Sequence, residues 1–236
     1  MCENIVAIIQ ARLGSSRLPM KSLLTLAGSP LIDWARERAG RSRRIDRVIV
    51  AIPDAPLDAA LGWHLKSRGF EFVSGPENDV LARFVKAARE AGADWIVRLC
   101  ADNPLIWGEA LDRLVEFHLD GGFDYSYNHV PKNNLWPDGL GGEILSRELL
   151  EDIGERAVEP SQREHCLNYI WDNSEKYKIG SFDPEEDWLK RPDLKLDIDS
   201  PQDFLRLAAL SPRMDMGARA IIEAADRSKA PGAANQ

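Results

Sequence analysis

The chain predicts an α/β fold with a mostly parallel sheet, and three observations carry that prediction. Apolar runs alternate with helical patterns through the first half. Glycines close successive helical patterns at Gly40, Gly69 and Gly92. Another apolar run follows each helix, the order that right-handed crossovers between parallel strands produce.

Taken in order, residues 4–10 form a buried strand around Ile5-Val6-Ala7-Ile8-Ile9. Residues 30–40 read as a helix opened by Pro30. Residues 46–53 hold a second strand, Val48-Ile49-Val50-Ala51-Ile52, and residues 58–68 a second helix. Residues 70–73 are a short strand. Residues 79–91 place Val80, Leu81, Phe84, Val85 and Ala88 on one helical face. Residues 94–100 are a strand and residues 109–119 a helix.

From Phe123 the texture changes. Residues 124–142 mix Asn, Pro, Gly, Trp and Tyr irregularly. Helical patterns follow at 146–153 and 161–172, then a strand candidate at 177–182. This stretch is expected to leave the main sheet as an insertion or lid and to return near Leu194. An exposed Trp136 and apolar helix faces there would suit a second subunit. Residues 1–226 thus read as one domain with an insertion at about 123–182, and 227–236 as a flexible Ala/Gly/Pro-rich tail.

At 236 residues the chain suits one large α/β domain. A net charge of -8 speaks against a nucleic-acid partner. No apolar stretch approaches a membrane span. Cys2, Cys100 and Cys166 are odd in number and widely spaced, which points to a reducing cytoplasm rather than a disulfide framework. Cys100, in an apolar strand, reads as core packing.

Against this acidic background the first loop stands out: Ala11-Arg12-Leu13-Gly14-Ser15-Ser16-Arg17-Leu18-Pro19-Met20-Lys21. A Gly-Ser-Ser turn offers backbone amides and hydroxyls, and Arg12, Arg17 and Lys21 add three fixed cations. Converging donors of this kind meet a polyphosphate. The loop therefore suggests a nucleoside triphosphate site at the carboxyl end of the first strand, where open α/β sheets bind ligands. The plainer reading is a basic surface turn. The loop is neither a Walker A motif nor the Gly-x-Gly-x-x-Gly of dinucleotide folds, which disfavours a nicotinamide dehydrogenase.

Two acidic spots complement it. Asp102 lies just past the strand ending at Cys100. Asp197 and Asp199, two apart in an extended segment, share a face and repel unless a cation joins them. Mg²⁺ is a suitable partner, because it binds through one or two carboxylates plus substrate phosphates. The structural alternatives are a turn at Asp102 and a helix N-cap at Asp199-Ser200-Pro201.

The segments Ile8-Ile9-Gln10-Ala11-Arg12-Leu13-Gly14-Ser15-Ser16-Arg17-Leu18-Pro19-Met20-Lys21 and Leu26-Ala27-Gly28-Ser29-Pro30-Leu31-Ile32 resemble the cytidylyltransferases that activate acidic sugars, such as sialic acid and octulosonate, as CMP-sugars. Glu77-Asn78-Asp79-Val80-Leu81-Ala82-Arg83, Asp102-Asn103-Pro104-Leu105-Ile106 and Asp197-Ile198-Asp199-Ser200-Pro201-Gln202-Asp203 extend the likeness in the same order, most closely to the spore-coat polysaccharide (SpsF) branch.

The resemblance implies a Rossmann-like three-layer sandwich of the nucleotide-diphospho-sugar transferase type. It implies that Ala11, Arg12, Gly14, Ser15, Arg17 and Lys21 hold CTP, with Arg83 and Asp102 beside it. It implies Mg²⁺ on Asp102 and Asp199, with Asp197 as a further or water-mediated ligand. Arg12, Lys21 and Asp102 would act in the transfer itself. Gly139, Glu143 and His165 are candidates for the sugar side, and His165 equally suits a structural role. A homodimer is implied as well. The chain departs from its relatives at Met20, where a glycine is usual in octulosonate enzymes, and at Gly141, where SpsF-like chains often carry aspartate.

The expected reaction is attack of an acidic keto-sugar's hydroxyl on the α-phosphorus of CTP, with pyrophosphate as leaving group. Competing readings are transfer from another nucleotide or to a sugar phosphate, a nucleotide-sugar glycosyltransferase, and a non-catalytic nucleotide-binding dimer. Trp34, Trp63 and Trp171 are expected in the core, and His64, His118 and His129 carry no motif.

Overall fold

The computed structural model describes residues 3–229. Cys2 and the tail beyond residue 229 lie outside the described residues. Strands β1 (Ile5–Gln10), β4 (Arg47–Pro53), β5 (Phe72–Gly75) and β6 (Trp95–Cys100) form the parallel half of a seven-stranded sheet. Helices α1 (Leu31–Ala39), α2 (Ala59–Ser67), α3 (Val80–Ala91) and α4 (Gly108–Gly121) lie between or after them. A small hairpin, β2 (Thr25–Leu26) with β3 (Ser29–Pro30), precedes α1.

The sheet order is β5-β4-β1-β6-β8-β7-β9. Here β7 is Tyr125–Tyr127, β8 is Glu143–Ser146 and β9 is Ile179–Gly180. β8 pairs antiparallel with both β6 and β7, so it alone runs against the rest. Residues 123–182 therefore do not leave the sheet, as the irregular sequence suggests. They widen it by three strands. Their polar composition hides this because β7 and β9 are only three and two residues long.

Alternate residues of the central strands face opposite layers. Ala7, Ile9, Val50, Val97 and Leu99 pack toward α1, α2 and α4. Val6, Ile8, Ile49, Ile96 and Leu145 pack under α3, α5 (Arg147–Arg156) and α7 (Asn168–Asp172). A third cluster joins Trp34 and Trp136 to Leu196, Ile198 and helices α8 (Pro201–Ala209) and α9 (Ala218–Lys229). Among the described residues no helix is long and apolar enough to cross a membrane.

Local chemistry explains the boundaries. Asp79 caps α3 by accepting from the Ala82 amide at 2.8 Å, and Gly92 ends it in the left-handed region. The single helix expected over 161–172 is broken into α6 (Pro160–Glu164) and α7, because His165 adopts φ -103, ψ 79. The strand expected over 177–182 shrinks to β9, and the Ser181 hydroxyl bonds the Tyr127 carbonyl in place of a backbone ladder. The strand expected at 70–73 begins two residues later, at Phe72.

The four tryptophan expectations fare differently. Trp34 is in the core, and Trp171 packs at its margin against Tyr125 and Tyr127. Trp63 is 72 % exposed on α2, since it lies off the face that carries Leu61 and Leu65. Trp136, expected at the surface, is fully buried edge-on to Phe182.

His118 is buried on α4 beside the Ser126 hydroxyl at 2.9 Å. Burial lowers its pKa to about 4. The unfolded residue titrates near 6.5, so between these values the unfolded chain binds the extra proton. Stability is then lost as pH falls through that window and is flat above it. Wild type should lose about 2 kcal/mol between pH 7 and pH 5 from this group. Urea unfolding of His118→Gln at pH 7 and at pH 5 should show the stability difference between the two reduced by that amount.

Candidate functional site

The candidate site sits where the connections diverge. β1 leads through α1 to β4 on one side, and α3 leads to β6 on the other. The carboxyl ends of β1 and β6 lie side by side, with Gln10 opposite Cys100. A crevice at such a switch point is the usual ligand site of open α/β sheets. A cleft opens there, lined by the loop after β1, by Asp102 after β6, and by Glu164 and His165 at the end of α6.

The loop is folded on itself. The buried Leu13 carbonyl accepts from the Ser15 and Met20 amides at 2.9 and 3.0 Å. The Leu13 amide donates to buried Asp58 at 2.7 Å. The Ser22 hydroxyl donates to the Arg12 carbonyl at 3.0 Å. These bonds aim Ala11, Arg12, Ser15, Arg17 and Lys21 at the cleft. Gly14 is not on its wall, and the Ser15 amide is engaged within the loop rather than bare. Met20 has φ 61, ψ 15, a left-handed conformation that favours glycine. Met20→Gly should therefore raise stability by about 1 kcal/mol or leave it unchanged, measured by thermal unfolding.

Each cation in the loop faces a carboxylate. Lys21 Nζ lies 2.9 Å from Asp102 and 3.3 Å from Asp199. Arg17 reaches Asp199 at 2.9 Å. Arg12 reaches Glu164 at 2.8 Å across the cleft mouth. Arg83 also lines the cleft but is buried, and its guanidinium donates to the Pro76 and Glu77 carbonyls at 2.5 and 2.9 Å. Burial, and then the charge of Arg12, lower its pKa.

Asp199 is held by the helix start that follows it. Ser200 and Asp203 form a reciprocal capping box, and the Asp203 carboxylate also accepts from the Asp199 amide at 3.1 Å. The N-cap reading and the carboxylate reading thus describe neighbouring residues of one turn. Asp197 points elsewhere. It pairs with Lys195 at 3.3 Å, and its Oδ1 is buried without a hydrogen-bond partner. Burial raises its pKa against the pull of Lys195, with Asp199 and Asp102 adding to the rise. Asp138 is pushed up to about 7 by burial and then by the charge of Asp197.

Among the described residues no group of three His, Cys, Asp or Glu side chains gathers as a metal site. Asp102 and Asp199 nevertheless reach the same ammonium, so one cation can span both. Two carboxylates plus substrate phosphates are an adequate Mg²⁺ set.

Of the three residues expected on the sugar side, His165 lines the cleft, whereas Gly139 and Glu143 do not. Gly139 (φ 95) is backed against the Leu196 carbonyl carbon, where a Cβ would come within 3.0 Å. Glu143 is buried under Arg98, which does line the cleft with Gln10 and Cys100. Cys100, expected as core packing, is thus a wall residue. Burial raises its thiol pKa, which keeps it neutral. Arg98 was legible only as an arginine inside an apolar strand, and such a residue is buried only when paired.

The sequence profile of the cytidylyltransferases matches residues 6–215. The chain is 33 % identical over 243 residues to the spore coat polysaccharide biosynthesis protein SpsF of Bacillus subtilis, covering 99 % of this chain and 98 % of that one. It is 38 % identical over 124 residues to a 3-deoxy-manno-octulosonate cytidylyltransferase of Anaeromyxobacter, about half of each chain (52 % and 49 %). The solved structure of a cytidylyltransferase from Leptospira borgpetersenii superposes with a TM-score of 0.86 at 27 % identity, over 96 % of this chain and 95 % of that one. The sequence likeness spans both the loop after β1 and the carboxylates that face it, and with it the chain belongs to the cytidylyltransferase family of CTP-dependent nucleotidyltransferases.

Proposed function

We propose that the protein activates an acidic 2-keto sugar as its CMP derivative. A sugar hydroxyl oxygen forms a bond to the α-phosphorus of CTP and releases its proton to solvent. The bond from that phosphorus to the bridging oxygen breaks, and pyrophosphate leaves with the electron pair. The observation that carries this reading is Lys21 set between Asp102 and Asp199 beside an arginine-bearing loop, the arrangement of a polyphosphate site. The likeness to a 3-deoxy-manno-octulosonate cytidylyltransferase supports the same reading.

In such a transfer the protein mainly positions groups and offsets charge. Arg12, Arg17 and Lys21 would meet the β- and γ-phosphates, and Ala11 and Ser15 would line their path. Binding must draw Arg12 away from Glu164 and Arg17 from Asp199, so the loop exchanges protein carboxylates for phosphates. Arg83, fixed by two carbonyls, would bound the nucleoside end. Asp102 and Asp199 would hold a divalent cation, with Asp197 behind them as an outer contact. When bound, Mg²⁺ polarises the α-phosphate and lowers the pKa of an attacking hydroxyl.

We further read residues 1–226 as one domain, the protein as a homodimer, and the cytoplasm as its place. Trp63, Val158 and Leu205 are exposed apolar side chains, and Cys100 and Cys166 are free thiols. Light scattering should return twice the chain mass.

The direct test is pyrophosphate release from each of the four nucleoside triphosphates with Mg²⁺. Acceptors should include 3-deoxy-manno-octulosonate, N-acetylneuraminate and neutral sugar phosphates. Release with CTP and a keto acid is the expected result. Release only with a sugar phosphate would move the acceptor to another class.

A further inference from the structure

Arg98 has no role in the reading above, and its surroundings are unusual. It sits on β6 with Cys100 two residues on and Gln10 opposite on β1, so all three share one sheet face at the cleft wall. Its side chain is 16 % exposed. One terminal nitrogen, Nη1, donates to Glu143. The other, Nη2, meets only the Gln10 amide oxygen at 3.2 Å and the Cys100 sulfur at 3.2 Å. Sulfur is a weak acceptor, and the Cys166 thiol that also faces this group is no better. Nε is buried without a partner.

A guanidinium has five donors, and most of those here lack a strong acceptor. Leaving them so inside a protein is costly, and such a group calls for an explanation. The arrangement of Glu143 supplies one. Its second oxygen accepts from the Tyr125 hydroxyl at 2.5 Å, and His129 stands 3.7 Å away. Glu143 is therefore locked from below and fixes the plane of Arg98, leaving the Nη2 edge toward the cleft.

We propose that Arg98 binds the carboxylate of the acceptor sugar, with Glu143 and Tyr125 as positioning residues that aim it. A carboxylate suits the remaining terminal nitrogen of an arginine already tethered on one side, because an ionised acceptor bonds Nη2 more strongly than the amide oxygen and sulfur that meet it here. The inference rests on the acidic-sugar reading above. It places the acceptor beside Arg98, Cys100 and His165, which line the same cleft as Asp102 and the loop after β1.

The experiment is steady-state pyrophosphate release at saturating CTP. The acceptors are 3-deoxy-manno-octulosonate and N-acetylneuraminate, each as the acid and as the uncharged carboxamide. Wild type should prefer the acid. Arg98→Gln should raise the acceptor KM by about 10–100-fold, leave the CTP KM within about twofold, and erase the preference for the acid. Arg98→Lys should recover part of the loss, and Glu143→Gln should give an intermediate KM. Since Arg98→Gln strands a buried carboxylate, the double variant Arg98→Gln/Glu143→Gln keeps the test interpretable if the single one fails to fold.

An acceptor KM unchanged in a folded Arg98 variant would overturn the assignment while leaving the function standing. So would an acid preference that survives the substitution. Wild type that binds CTP but turns over neither keto acid would remove the acidic-sugar reading itself, and this inference with it.

Discussion

Replacing Lys21 by alanine is expected to lower kcat for pyrophosphate release by about 10²–10³-fold and to leave the fold intact. Lys21 is the cation that Asp102 and Asp199 share, and its side chain is only 15 % exposed. A positive charge held in a partly dry cleft counts for far more at a developing pyrophosphate than at the surface. The fold should survive because both carboxylates are about one-quarter exposed (26 % and 25 %) and can be solvated. Circular dichroism and thermal unfolding would check that point, and stopped or coupled assays would check the rate. Turnover within a few-fold of wild type in a folded variant would remove Lys21 from the transfer.

Gly141 offers the second large effect, this time on stability. The resemblance to SpsF-like chains implies aspartate here, which makes the position look like part of a sugar pocket. The structure gives it a different meaning. A Cβ at Gly141 would lie 2.1 Å from Asn128 Oδ1 and 2.5 Å from the Asn128 carbonyl oxygen. Asn128 cannot yield. It is fully buried, donates to the Ala110 carbonyl at 2.9 Å, and exchanges bonds with Gly142 at 3.0 and 3.1 Å. Gly141→Ala should cost about 3–5 kcal/mol and lower Tm by about 10 °C, with Gly141→Asp at least as damaging. A stable Gly141→Asp variant would mean that this loop can be rebuilt and that the departure bears on the sugar after all.

Much of the architecture was legible in advance because its signals are local. Uninterrupted apolar runs and glycine stops give β1, β4, β6 and helices α1 to α4 within a residue or two. The cations of the loop after β1 and the carboxylates Asp102 and Asp199 were legible as well, since charge and spacing are written directly in the chain. The region after Phe123 was not. β7 and β9 are too short to show a period, and their pairing with β8 is made across the sheet rather than along the chain. Burial of Trp136 and exposure of Trp63 are likewise settled by which neighbours arrive, not by the residues themselves.

The chain alone specifies the α/β class, the crevice after β1 and the basic residues that line it. Hydrophobic period and fixed charge act over a few positions and need no partner to be read. Only the tertiary structure decided that Asp199 joins Asp102 at Lys21 while Asp197 turns to Lys195, that Glu143 lies beneath Arg98 instead of in the cleft, and that Gly141 is a packing contact. Those outcomes depend on contacts between segments far apart in the chain. A buried charge takes whichever partner the packed sheet brings within hydrogen-bond reach, and residue spacing does not record that.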